Sequence, residues 1–126
     1  MESNFSVYPK EFQLLVKHPK FLGRMNAPDC SAVLRGVCGD EMEFYLNIQD
    51  GRIEDIKFYT NGCPETIACG EVTAKLAIGQ KLDNALGLSP KQVEDYLKVL
   101  PFEHKHCAIL AVSTFYRAIA EYLLQP

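Results

Sequence analysis

The chain has 126 residues, 48% of them apolar, enough to bury one core without disulfides or a metal as a condition of folding. Thirteen Lys and Arg against sixteen Asp and Glu leave a formal charge of −3, and no Lys/Arg run marks a nucleic-acid surface. No apolar run approaches the roughly 20 residues of a membrane span. The opening "MESNFSVYPKEF" has neither the layout of a secretory signal nor the Arg-rich bias of a transit peptide. The expectation is a soluble protein of a reducing cytoplasm, one domain over residues 1–126. Five cysteines, an odd count, then point to metal or redox chemistry rather than a disulfide framework.

Residues 5–17 place Phe12, Leu15 and Val16 at helical spacing, and "HPKFLG" breaks that helix. "SAVLRGV" reads as a short strand. "EMEFYLNI" alternates, with Met42, Phe44, Leu46 and Ile48 facing one way and Glu43, Tyr45 and Asn47 the other. Asp50-Gly51 is a hairpin signal, because it reaches positive φ at little cost, and "RIEDIKFYT" returns as a third strand with Ile56 and Phe58 inward. In "NGCPETIACGEVTAKLAIG", Pro64 and Glu65 suit a first helical turn, Glu71 and Lys75 are spaced as an i,i+4 pair, and Gly79 is a stop. "LDNALGL" predicts one helical turn. "SPKQVEDYLKVL" predicts a helix capped by Ser89, with Val93, Leu97 and Leu100 apolar and Pro101 ending it. The last helix is predicted from about Lys105 to Leu124, with Ala108, Val112, Phe115, Ile119 and Tyr122 inward and Ser113, Arg117 and Glu121 opposite. The fold class is α+β: a three-stranded antiparallel sheet packed against several helices, with a long C-terminal helix.

Three cysteines fall at element ends: Cys38 in "GVCGD", Cys63 in "NGCPE" and Cys107 in "KHCA". None sits on a predicted apolar stripe. Cys63 and Cys107 lie at predicted helix N-termini, where the dipole and free N–H groups favour a thiolate. Thiolates serve as nucleophiles and as metal ligands, and soft sulfur suits zinc and iron–sulfur clusters alike. Asp40 and His106 are the neighbouring candidates for a fourth ligand, so a structural zinc site of Cys38, Cys63, Cys107 and His106 or Asp40 stays open. The spacing matches no compact zinc-finger signature. A Cys107–His106 nucleophile pair lacks an accompanying oxyanion-hole motif. Cys30 and Cys69 read as structural, His18 and His104 as solvent-facing, and Tyr8 and Tyr59 as packing residues.

The sequence resembles the IscU/NifU-type iron–sulfur cluster scaffold family over nearly its whole length. "CGDEMEFYLNI" is similar to the first-ligand segment, "GRIEDIKFYTNGCPETIA" to the strand running into a Gly-Cys turn, "GQKLDNA" to the following junction, and "HCAILAVSTFYRAIAEY" to the His-Cys helix start. The resemblance implies a non-enzymatic scaffold in which Cys38, Cys63 and Cys107 hold a transient [2Fe–2S] cluster. Sulfur would arrive as persulfide from a PLP-dependent cysteine desulfurase, with Cys107 as favoured acceptor, and the cluster would pass to acceptor apoproteins. It also implies that Asp40 governs cluster lability and ligates iron or zinc. A three-thiolate site is chemically incomplete, which leaves open a cluster shared across a homodimer. Leu100-Pro101-Phe102-Glu103-His104 matches only the first two residues of the family's Leu-Pro-Pro-Val-Lys site for an Hsp70-type chaperone, which puts that partnership in doubt. The insertion of the zinc-dependent sulfur-transfer branch is missing between Cys63 and Cys107, favouring the scaffold branch.

Overall fold

A computed structural model describes residues 5–125; the first four residues, read above for a targeting layout, and Pro126 lie outside it. The elements in chain order are α1 (Lys10–Lys17), β1 (Cys30–Arg35), β2 (Glu41–Gln49), β3 (Arg52–Thr60), α2 (Pro64–Ala77), α3 (Leu82–Ala85), α4 (Pro90–Leu97), a 3₁₀ turn (Phe102–His104) and α5 (Lys105–Leu123). The strands form the expected antiparallel meander, β1-β2-β3. Its central row is Ala32 opposite Phe44 opposite Phe58. Met42, Phe44 and Leu46 are all fully buried, as period two requires. Ile53 and Ile56 are both buried although three residues apart, because the β2–β3 register shifts at Asn47/Ile48 and absorbs one residue. Asp50 and Gly51 take the positive φ values, 54° and 74°, that the hairpin demands.

The buried sheet face is covered by α5, whose Phe115 meets Phe44 edge-on at 5.8 Å. Helix α5 also packs on α2, so it is buried over a wider arc than one stripe. Cys107, Ala111, Thr114 and Ala118 are buried beside the predicted Ala108, Val112, Phe115 and Ile119. This corrects the expectation that Cys107 lies off the buried face. Helix α2 approaches β3 closely at Gly70, where a Cβ would stand 2.5 Å from the Phe58 ring.

Two further expectations change. Glu71 is buried and accepts hydrogen bonds from the backbone N–H groups of Lys20 (2.8 Å) and Phe21 (3.0 Å), so its carboxylate serves these rather than the i,i+4 pair with Lys75. The 18–22 segment leaves the α1 terminus with unpaired donors, and Glu71 satisfies two of them. Helix α4 has the expected Ser89 cap, with Gln92 completing a capping box, but stops at Leu97, because Lys98 turns left-handed at φ 67°. Among the described residues no helix is long and apolar enough to cross a membrane.

The β1–β2 turn, the β3–α2 junction and the start of α5 meet at one end of the sheet. Met42 pairs with Thr60 there. The Thr60 hydroxyl donates to the Glu41 carbonyl at 2.5 Å and accepts from the Gly62 N–H at 3.0 Å, fixing the exit of β3.

Candidate metal centre at the end of the sheet

Cys63 is the N-cap of α2, and its carbonyl accepts from the Thr66 and Ile67 N–H groups at 3.0 and 3.1 Å. Pro64 occupies the first helical position, where no N–H is missed. One turn on, Thr66 is fully buried and becomes the hub of the site. Its Oγ1 lies 3.3 Å from Cys63 Sγ and 3.4 Å from Cys107 Sγ, and it donates to Asp40 Oδ2 at 2.9 Å. A hydroxyl has a single proton; once that goes to the carboxylate, the oxygen can only accept from a thiol. Asp40 fits because residue 62 is glycine: a Cβ there would stand 2.5 Å from its carboxylate oxygen.

Cys107, the third residue of α5, is 1% exposed. Two histidines approach its sulfur, His104 through Nδ1 at 3.9 Å and His106 through Nε2 at 3.8 Å. The donor atoms of Cys63, His104 and Cys107 all lie within 4.8 Å of one another. His104 therefore departs from its expected solvent-facing position. The 3₁₀ turn before α5 folds its ring back over Cys107, three residues on. His18 is exposed, as expected.

Behind His104 stands Glu65, 8% exposed, its Oε2 3.7 Å from His104 Nε2. The same oxygen accepts from the Tyr8 hydroxyl at 2.7 Å. Tyr8 stacks on Phe12 at 4.0 Å, so it packs as expected and adds a hydrogen bond that sequence reasoning missed. Burial and the neighbouring Glu65 push the Tyr8 phenol up, keeping it a donor. Burial is the largest single influence on Glu65 and works against its charged form, but the bonds from Tyr8, Cys63 and the backbone, with the nearby His104, together outweigh it and the pKa ends lowered.

The two pocket sulfurs share a proton. A hydrogen bond from Cys107 pulls the Cys63 thiol down to about 6, with the Thr66 backbone N–H adding to the effect against the cost of burial. Cys107 keeps the proton, and its own pKa is pushed up by Cys63 and by burial. The expectation of a thiolate at both helix starts thus holds for Cys63 alone. Cys38 lies exposed on the β1–β2 turn, outside the converging set. Its turn is closed by bonds from Gly36 N–H to the Asp40 carbonyl (2.8 Å) and from Gly39 N–H to the Gly36 carbonyl (3.0 Å). Cys30 and Cys69 are buried as expected, and burial raises both thiols, Cys30 to about 11.

Comparison with known proteins gives a consistent result. The family described as NifU-like N terminal domain matches residues 7–126. Iron-sulfur cluster assembly scaffold protein IscU 1 of Archaeoglobus fulgidus is 36% identical over 107 residues, 84% of this chain and 70% of that protein. Its counterpart IscU in Haemophilus influenzae is 32% identical over 111 residues, 84% of this chain and 87% of that protein. The crystal structure of a NifU-like protein's N-terminal part from Brucella abortus superposes with a TM-score of 0.75 at 18% identity. That match covers 95% of this chain and 96% of that one and speaks for the fold.

Proposed function

The chain belongs to the family of NifU-like N-terminal domains, and we propose on that footing that it is a scaffold, not an enzyme, on which an iron–sulfur cluster is assembled and then passed on. The observation that carries the reading is the convergence of Cys63 and Cys107 on one buried hydroxyl that also holds Asp40. Iron and sulfur are the cargo. Cys63 and Cys107 supply two soft ligands. Cys38 supplies the third from its exposed turn. Two residues of chain span at most about 7 Å, so the Thr66-anchored Asp40 keeps Cys38 tethered beside the pocket.

The cluster is of the [2Fe–2S] type, with Asp40 or His106 completing the ligand set of Cys38, Cys63 and Cys107. A hard carboxylate or an exchangeable imidazole among thiolates makes the cluster easier to release than four thiolates would. A second copy of the chain sharing the cluster would also complete its coordination. Sulfur arrives from a cysteine desulfurase as persulfide. The proton on Cys107 passes to the Cys63 sulfur, and the Cys107 thiolate attacks the outer persulfide sulfur. A new S–S bond forms, and the desulfurase thiolate leaves. Acceptor apoproteins then take the finished cluster, in the cytoplasm.

The test is assembly itself. Iron, cysteine and a desulfurase supplied anaerobically should generate the visible absorption of a cluster. A protein that stays colourless and keeps stoichiometric zinc throughout overturns the reading in favour of a structural or sulfur-accepting zinc protein.

A further inference from the structure

Among the described residues, the three donors that converge are not the three cysteines at element ends. Cys63 at the start of α2, His104 on the 3₁₀ turn and Cys107 in α5 converge, while Cys38 stays outside. We infer that Cys63, His104 and Cys107 form a half-site for a single divalent transition-metal ion, ferrous iron or zinc, that loads before Cys38 joins, with Glu65 and Tyr8 as positioning residues behind His104. As the loading step for the metal cargo, the half-site rests on the scaffold reading.

Two observations support it independently. The first is geometric. A tetrahedral ion with a metal–sulfur bond near 2.3 Å and a metal–nitrogen bond near 2.05 Å holds those two donors roughly 3.6 Å apart. Cys107 Sγ and His104 Nδ1 stand 3.9 Å apart, so an ion needs only small adjustments of the two side chains. The second is orientation. Histidines that bind metals commonly give their other ring N–H to a carboxylate, which fixes tautomer and ring plane and raises basicity. With Nδ1 turned to the sulfur, His104 presents Nε2 to the Glu65 carboxylate at 3.7 Å. Glu65 is itself held by Tyr8 at 2.7 Å, and Tyr8 by its stack on Phe12. His106 reaches Cys107 at 3.8 Å but falls outside the converging set. It is left for a later coordination position. Loading forms two metal–sulfur bonds and one metal–nitrogen bond and releases the proton that Cys107 holds to solvent.

Cobalt(II) titration of the full apo chain under anaerobic conditions tests this, read by the thiolate-to-metal charge-transfer and tetrahedral d–d absorption, with zinc competition for affinity. The wild type should take up one ion. Cys38→Ser should keep both bands and the affinity within a few-fold. His104→Ala and His104→Asn should each lose at least tenfold in affinity, with thermal melts of the apo proteins reporting that they remain folded. Glu65→Gln should weaken binding by about 10- to 100-fold with the charge-transfer bands unmoved, as expected for a residue acting through a ligand. Wild-type affinity in both His104 variants, or loss of binding in Cys38→Ser, overturns the half-site. Cluster assembly measured in parallel separates the two readings. Normal assembly with His104-independent cobalt binding sinks the half-site alone, and His104-dependent cobalt binding in a chain that never builds a cluster sinks the scaffold alone.

Discussion

The two sides of the thiol pocket are built differently. One side is made of helix starts: Cys63 caps α2, Cys107 sits inside α5, and the Thr66 hydroxyl lies 3.3 and 3.4 Å from their sulfurs while donating to Asp40. The other is an exposed turn bearing Cys38, where Gly39 takes φ 90° and a Cβ on it would meet nothing within 4 Å. Side chains fixed by helices and burial can hold donors in place before a metal arrives, which lowers the cost of ordering them on binding. A ligand on an open turn adds affinity when it closes and can be withdrawn. A scaffold needs both behaviours, because it must grip its cargo during assembly and then let it go.

The largest effects should come from removing donors on the fixed side. Cys63→Ser and Cys107→Ser are each expected to abolish both cobalt uptake and a stable cluster, whereas Cys38→Ser should abolish the cluster and spare cobalt. Equal behaviour of all three in both assays would erase the difference between the two sides. Next comes Gly62→Ala, whose Cβ would stand 2.5 Å from Asp40 Oδ2 and 2.9 Å from Thr66 Cβ. Overpacking of this kind costs about 1–3 kcal/mol, which a denaturant titration would read, and it should expel Asp40 from the pocket and change the cluster's lifetime.

Thr66→Val keeps the volume but leaves Asp40 without its donor. Asp40 is half-buried, so the expected loss is about 1 kcal/mol, again from denaturation, and less if it swings to water. The smallest effect is a pH profile. Because Cys63 is lowered to about 6, it is a thiolate above that pH and a thiol below it. Alkylation of Cys63 by iodoacetamide, followed by peptide mass spectrometry, should therefore rise through pH 6 and level off by about pH 7.5. A rate still climbing at pH 8.5 would place the shared proton on Cys63 instead.

The sheet was legible because period two is a local signal. Met42, Phe44 and Leu46 announce a buried face without knowledge of what covers it, and Asp50-Gly51 announces its own turn. Helix α5 was half legible. Its main stripe follows from spacing, but the burial of Cys107 depends on α2 lying against a second face, which no local pattern records. Glu71 shows the same limit: its partners at Lys20 and Phe21 are some 50 residues away, and spacing alone suggested Lys75. Within the pocket, Cys63, Cys107, Asp40 and His106 could be named from motifs. Thr66 had a weaker signal in its place one helical turn after Cys63. His104 had none, since its direction is set by a 3₁₀ turn and its backing by Glu65 and Tyr8.

Transfer tests the scaffold reading most directly. The anaerobically loaded protein would be mixed with an apo-ferredoxin, the two separated, and visible absorption and iron measured on each. The account predicts that iron and absorption leave this chain together and appear on the ferredoxin, faster than from free iron and sulfide. A cluster that stays on this chain, or a ferredoxin that gains iron no faster than from solution, would contradict it.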